Sequence, residues 1–204
     1  MRILVGKSGN KKRGESNMRS KQPPMQQGSS DDFQTPEEAL YPLLPYLNKK
    51  WVIWECSCGN GNLSNYLKLV GFNVIATDIL TGYDFLNCQP REYDCIITNP
   101  PFSLKQKFLE RCYTLSKPFA LLLPLTTFET PKRQNLFKKY GVQIIFFDKR
   151  INFETPSGKG SGSWFASAWF TNGLNLPNEL NFVKLSDPNQ KKINMFQKKR
   201  RGNG

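Results

Sequence analysis

One junction constrains this chain more than any other: a strand that ends in two consecutive prolines and reopens as a helix. Tyr93-Asp94-Cys95-Ile96-Ile97 is a mostly apolar run with the length of a buried strand. Thr98-Asn99-Pro100-Pro101-Phe102 follows, and from residue 104 to 113 apolar residues recur at helical spacing. A turn at the carboxyl end of a strand, just before a helix, is where open α/β sheets place their ligands. The prolines fix two φ angles and remove two N–H donors, so the turn is rigid and rich in carbonyls. The Asn99 amide adds one acceptor and two donors. Its oxygen and the Pro100 carbonyl could together accept both hydrogens of an exocyclic amine, leaving that nitrogen's lone pair for attack. Phe102 supplies a flat apolar face for a base, a contact worth about 1–3 kcal/mol in single-strand binders. The plainer reading is a proline-stiffened loop, and the neighbouring segments decide between them.

Upstream, Trp51-Val52-Ile53-Trp54-Glu55 reads as a strand, followed by the turn Cys56-Ser57-Cys58-Gly59-Asn60-Gly61. Residues 62–70 have helical spacing that Gly71 ends, and residues 72–78 form a second strand closing on Asp78. This β-α-β unit is the nucleoside-binding half of a doubly wound sheet. Glycines at 59 and 61 let a ligand approach the backbone where a side chain would collide. Asp78, 23 residues after Glu55, falls at the tip of the neighbouring strand, where a carboxylate can accept from ribose hydroxyls or else cap a helix. In the loop Gly82-Tyr83-Asp84-Phe85-Leu86, Asp84 could accept from an adenine amino group while Phe85 or Leu86 packs on the ring.

The remaining runs extend the same sheet. Residues 118–123 and 142–148 read as strands, with a helix between them that begins at Thr127 or Thr130 and ends at Gly141. Residues 164–170 read as a strand antiparallel to 142–148, because the intervening connection is too short for a helical crossover. That Gly/Ser-rich connection, residues 155–163, is either a flexible linker or a substrate-closing loop that carries Lys159. Thr35 as N-cap, with Pro36 and Glu38 behind it, predicts a helix start, and Pro42 and Pro45 keep that helix short.

Charge divides the 204-residue chain into three parts. Residues 1–30 carry seven Lys/Arg against Glu15, residues 189–204 carry six with no acid, and the middle is nearly neutral within a total of +13. The expected organisation is a basic disordered tail over 1–30, a catalytic domain over 31–188 and a basic tail over 189–204. Such tails either attract polyanions through counterion release or merely solubilise the chain. Gly6-Lys7-Ser8 lacks the upstream glycine of a phosphate-binding loop, whose place falls at Met1, so that motif is absent. With no histidine and no C-x-x-C, the usual zinc spacings are missing and no metal is expected. The five cysteines suggest reduced thiols, and no apolar run approaches a membrane span. The expected location is intracellular: cytoplasmic in a prokaryote or phage, nuclear in a eukaryote or virus if Lys198-Lys199-Arg200-Arg201 serves as a signal.

Taken together, residues 31–172 resemble the class I S-adenosylmethionine-dependent methyltransferases, and within them the amino-methylating DNA enzymes with an Asn-Pro-Pro-aromatic signature. The resemblance implies a Rossmann-like α/β fold: a mostly parallel seven-stranded sheet with helices on both faces and an antiparallel last strand. It implies S-adenosylmethionine as cofactor. Phe33, Thr35 and Pro36 would lie beside its methionine part, and Glu55, Cys56, Cys58, Gly59 and Gly61 would line the glycine-rich motif. Asp78 and Ile79 would meet the ribose end, Asp84 and Phe85 the adenine, and Asn99 would face both cofactor and substrate. Asn99, Pro100, Pro101 and Phe102 match the catalytic motif of adenine-N6 enzymes, and Phe153 in Ile151-Asn152-Phe153 matches the aromatic that packs on a flipped base. Phe102, Phe153 and Lys159 are thus the expected substrate contacts. The implied partner is nucleic acid, DNA first, with the tails on its phosphates. Only 34 residues follow Phe170, little for a target-recognition domain, so a separate recognition subunit is one expectation and RNA or unpaired strands are open substrates. A protein glutamine amide is a further alternative, as is a silent nucleic-acid-binding module. A cysteine nucleophile in a Pro-Cys pair, needed for cytosine-C5 transfer, does not occur.

Overall fold

In the computed structural model, residues 34–155, 158–159 and 165–185 are described, the backbone alone at 154–155 and 158–159. Both tails and Phe33 therefore lie outside the described residues, as does the Lys159 side chain.

Seven strands form one sheet. In chain order, β1 is Val52–Glu55, β2 Asn73–Ala76, β3 Cys95–Thr98, β4 Phe119–Pro124 and β5 Gln143–Phe147. The short strands β6 (Glu154–Thr155) and β7 (Gly158–Lys159) pair only with each other, and β8 (Ser167–Asn172) and β9 (Leu180–Val183) return to the main sheet. The spatial order is β2-β1-β3-β4-β8-β5-β9. β1 pairs in parallel with β2 on one side and β3 on the other, so the chain reverses direction across the sheet at β1. That switch opens a crevice at the carboxyl ends of β1 and β3.

β8 is antiparallel to both β4 and β5 (Pro124 opposite Ser167, Phe146 opposite Ala168), as the short connection requires. It is not the last strand. β9 follows and pairs in parallel with β5, so six strands share one direction and only β8 opposes them. β9 escapes a sequence reading because its polarity is inverted. Leu180 and Phe182 are exposed, while Asn181 is buried and donates to the Ile144 and Asn178 carbonyls at 3.1 and 2.8 Å.

The helices are α1 (Asn62–Leu69), α2 (Lys105–Leu115) and α3 (Pro131–Tyr140). Every residue of β3 and β4 is buried, so both faces of the sheet's centre are covered, which explains why these strands read as unbroken apolar runs. Trp54 and Trp169, fully buried, tie distant parts together. The Trp54 indole donates to the Thr77 hydroxyl at 2.8 Å and packs against Phe85 and Tyr93. The Trp169 indole donates to the Ala39 carbonyl at 2.6 Å, fixing the upstream segment to the sheet.

The upstream segment departs from expectation. Residues Glu37–Leu40 form a single 3-10 turn, Pro36 occupies the N-cap position, and no side chain caps it. Thr35 instead turns inward, 4% exposed. Pro42 and Pro45, which forbid interior helical hydrogen bonds, account for the shortness. Thr130 does stand at the N-cap of α3, but it too makes no capping bond.

Candidate active site

The carboxyl edge of the sheet gathers the chemistry. After β1, the backbone of residues 56–61 folds back on the end of β2. Thr77 N–H donates to the Glu55 carbonyl at 2.9 Å, and Cys58 N–H to the Thr77 carbonyl at 3.1 Å. Gly59 and Gly61 adopt φ of +49° and +82°, and Gly61 N–H closes the loop on the Cys58 carbonyl at 2.7 Å. Both angles lie in the left-handed region that L residues avoid, so the glycines are a requirement of this loop's shape.

Asp78 locks the loop from the neighbouring strand. One carboxylate oxygen accepts from Gly59 N–H at 2.9 Å and the other from Leu80 N–H at 2.9 Å. Asp78 is thus a cap of the 3-10 turn Ile79–Thr81 and also an anchor of the glycine loop. A carboxylate offers about four lone-pair sites, so two bonds leave capacity for a ligand's hydroxyls. Ile79, next along, presents its side chain to solvent, 65% exposed.

Gln34 was not anticipated by the sequence. Its side-chain oxygen accepts from Asn60 N–H at 3.0 Å, and its amide lies over Gly59. A Cβ built on Gly59 would stand 2.8 Å from the Gln34 nitrogen and 3.0 Å from its oxygen. The upstream segment therefore sits on the glycine loop, with Thr35 next to the contact. Pro36 is half-buried beside it.

Glu55, at the end of β1, is 2% exposed. Burial pushes its carboxyl up to about 8, with the Asp78 charge adding to the rise and the Ser64 hydroxyl and amide opposing it. Ser64 is a second residue that sequence reading missed. It lies at the first turn of α1, where its hydroxyl also donates to the Gly61 carbonyl at 3.1 Å. The Cys56 thiol, wholly buried, is held well above the usual thiol range by desolvation, with the neighbouring Cys112 thiol adding to the rise. Burial raises Cys58 too, though it stays half-exposed. All five cysteines are unpaired thiols.

On the adjacent strand end, Asn99 is half-buried, Pro100 buried and Pro101 half-buried. Pro101 is the N-cap of the turn Phe102–Leu104, and the Lys105 ammonium donates to the Phe102 carbonyl at 3.0 Å. Phe102 is 9% exposed and meets two other rings edge-on: Phe153 at 6.3 Å and Phe165 at 5.2 Å, both at 81°. Phe153 is 3% exposed. Phe165, immediately before β8, reads in the sequence as strand packing, and nothing there singles it out.

Asp84 and Phe85 stand differently. The Asp84 carboxylate accepts from Leu86 N–H at 2.9 Å and from the Asn87 amide at 2.5 Å, shaping its own turn. Phe85 is buried against Trp54 and stacks on Phe108 at 4.5 Å. With Leu86, Asn87 and the α2 residues Lys107 and Arg111, Asp84 borders an open cavity of about 540 Å³.

Among the described residues, no cluster of His, Cys, Asp and Glu is arranged to hold a metal, and no helix is long and apolar enough to cross a membrane. Two buried polar atoms at the glycine loop, Thr35 Oγ1 and Glu55 Oε2, find no hydrogen-bond partner. Buried polar groups ordinarily are satisfied. Two such atoms beside a concave glycine loop and an acid with spare lone pairs fit a polar, charged ligand.

No protein-family model matches the sequence, and no curated protein sequence matches it significantly. Solved structures do resemble it. A candidate class I S-adenosylmethionine-dependent methyltransferase from Listeria monocytogenes superposes with a TM-score of 0.53 at 17% identity, over 82% of this chain and 71% of that one. The modification subunit of a candidate type I restriction enzyme from Vibrio vulnificus aligns at 0.48 and 11% identity over 84% and 54%. A dimethyladenosine transferase from Plasmodium falciparum aligns at 0.47 and 14% over 68% and 61%. These two overlaps are looser, and the fold assignment rests on the first. This chain has the fold of the class I S-adenosylmethionine-dependent methyltransferases.

Proposed function

We propose that this protein transfers a methyl group from S-adenosylmethionine to the N6 amino group of adenine in DNA. The carrying observation is the Asn99-Pro100-Pro101-Phe102 turn at the end of β3, one strand from the glycine loop at the end of β1. Bound there, the cofactor supplies an electrophilic methyl on a positively charged sulfur. Glu55, Thr35 and the loop amides hold its amino-acid end, Asp78 its ribose, and Ile79 packs on its base, with Asp84 and Phe85 shaping the far wall. The Asn99 side-chain oxygen and the Pro100 carbonyl accept the two N6 hydrogens, which directs the nitrogen lone pair at the methyl carbon. Transfer would form the N6–methyl bond as the methyl–sulfur bond broke, the electron pair staying on sulfur. The surplus N6 proton then leaves to water, so no histidine base is required. Phe102 and Phe153 contact the unpaired base.

The topology favours nucleic acid over a protein substrate. The described chain enters at Gln34, on the glycine loop, and leaves at Leu185, whose N–H donates to the Asp148 carboxylate at 3.0 Å beyond β5. Both points lie on the edge that carries Asn99, and three residues separate them from the basic segments 1–30 and 189–204 respectively. β9 stands four strands from β3, about 19 Å at the usual strand spacing. The tails are accordingly assigned to phosphates flanking the target, and a separate recognition subunit would supply any sequence preference. Labelled methyl transfer to double-stranded DNA, single-stranded DNA, RNA and a glutamine-containing peptide in parallel tests the proposal. Incorporation into DNA is expected; incorporation only into RNA or only into the peptide would overturn it.

A further inference from the structure

The outermost strand of the sheet carries the most exposed aromatic ring among the described residues. β9 has β5 on one side and no strand on the other, and their pairing sets Phe182 beside Phe146. The two rings stack at 5.2 Å with planes 16° apart. Phe146 therefore covers one face of Phe182. The other face looks past the end of the sheet, and Phe182 is 79% exposed. Leu180, on the same side of the strand, is 55% exposed.

Charge gathers at one end of this apolar pair. β5 and β9 run in parallel, so their carboxyl ends lie on the sheet edge that carries Asn99. Lys149 and Arg150 follow β5 there, Lys184 follows β9, and all three are exposed. Asp148 is the acid of these two segments, and its carboxylate accepts from Leu185 N–H at 3.0 Å. Lys149 and Lys184 make no ion pair among the described residues. Glu179 stands at the opposite end of β9, away from the cations. A free aromatic face for a base, next to cations for its phosphates, is the construction that binds single-stranded nucleic acid. The distance fits as well. Four strand spacings from β3, about 19 Å, equal roughly six nucleotides of a stacked strand.

A second copy of this chain is the competing occupant, because an edge strand offers unpaired N–H and C=O groups. Antiparallel pairing about a two-fold axis keeps the apolar residues of both copies on one face where residues of equal parity stand opposite, for example Leu180 against Phe182. No such register sets Lys184 opposite Glu179. The one-residue slip that would match those charges sends the apolar residues to opposite faces. Charge and apolar surface agree for a polyanion and conflict for a second copy.

We propose that the outer face of Phe182 is a stacking platform for a nucleotide flanking the methylated base, with Lys149 and Lys184 on the adjoining phosphates. The folded domain thereby holds single-stranded DNA independently of the tails. The inference rests on the nucleic-acid reading above and adds a second contact, remote from the Asn99 turn. Its test uses the full chain and a labelled 20-nucleotide single strand with one central adenine. Fluorescence anisotropy at several salt concentrations gives Kd and its salt slope for the wild type, Phe182→Ala, Phe182→Trp and the double variant Lys149→Gln/Lys184→Gln. S-adenosylmethionine titration, melting temperature and sedimentation accompany each protein.

Phe182→Ala should weaken DNA binding by about 5- to 150-fold, the range of one base–aromatic stack, at an unchanged salt slope. Phe182→Trp keeps a flat face and should stay within about twofold of the wild type or bind more tightly. The double lysine variant should lower the log–log salt slope by about 1.4, two phosphate contacts on a single strand. Cofactor affinity is the same in all four proteins. Unchanged Kd in Phe182→Ala overturns the platform while leaving methyl transfer to DNA intact. Equal losses in the alanine and tryptophan variants, accompanied by weaker cofactor binding, overturn it by reducing Phe182 to a packing residue. A wild-type dimer that Phe182→Ala dissociates without changing DNA affinity overturns it in favour of a second copy. A wild-type protein that neither binds nor methylates the strand overturns the underlying reading as well.

Discussion

Replacing Gly59 with alanine tests the physical basis of the cofactor loop. At φ +49° an L residue is strained by about 1–2 kcal/mol. The added Cβ also meets the Gln34 amide at 2.8–3.0 Å, so that side chain must move and its bond from Asn60 N–H is lost, about 0.5–1.5 kcal/mol. Alanine returns about 0.4–1 kcal/mol by stiffening the unfolded chain, for a net loss of about 0.5–3 kcal/mol. In a domain of this size that lowers the melting temperature by roughly 1–12 °C. Gly71 is the control: its φ is +90°, but a Cβ there meets nothing within 4 Å. Gly71→Ala should show the backbone strain alone, about 1 kcal/mol or less after the same compensation, and no change in cofactor affinity. Calorimetric unfolding and S-adenosylmethionine titration of both variants provide the readouts. Equal melting temperatures, or equal cofactor affinities, would refute the claim that Gln34 and the glycine loop form one binding surface.

Three further expectations follow from particular contacts. Glu55 is protonated in the fold below about pH 8 and in the unfolded chain only below about 4.5, so the folded state binds the extra proton between them. Stability should therefore fall as pH rises through that window, by up to about 1.4 kcal/mol per unit, and Glu55→Gln should flatten the slope seen in urea titrations. Trp169→Phe leaves the buried Ala39 carbonyl without its donor and should cost about 1–3 kcal/mol in the same titrations. Replacing Lys198, Lys199, Arg200 and Arg201 with glutamine should reduce the salt dependence of DNA binding, lowering the log–log slope by up to about 3–4 while cofactor affinity holds. An unchanged slope would return the tail to a solubilising role.

What the sequence revealed was whatever is decided locally. The β1–α1–β2 unit, the proline turn and its following helix are each set by neighbours a few residues apart, and all stand where the pattern puts them. β8 was legible because a short connection leaves only one direction of pairing. β9 was not, since its buried Asn181 is satisfied by carbonyls of another strand and its apolar residues face outward. The 3-10 turn at Glu37–Leu40 was hidden for a related reason: Thr35 is buried instead of capping, a choice made by tertiary packing.

The site shows the same division. Gly59, Gly61 and Asn99 carry residue types that few other demands explain, whereas Asp78 also serves as the cap that its residue type allowed. Gln34 acquires its importance only from what the fold sets opposite it, Gly59. Asp84 has a local use, the turn it caps through Leu86 and Asn87, that residue type alone could not separate from a ligand contact.

The most direct test of the central claim is nucleoside analysis of adenine-containing DNA after incubation with S-adenosylmethionine and either the wild-type protein or Asn99→Ala. The account predicts N6-methyladenine with the wild type, and none with Asn99→Ala although that variant still binds the cofactor. Undiminished N6-methyladenine from Asn99→Ala, or a methyl group on any atom other than adenine N6, would contradict it.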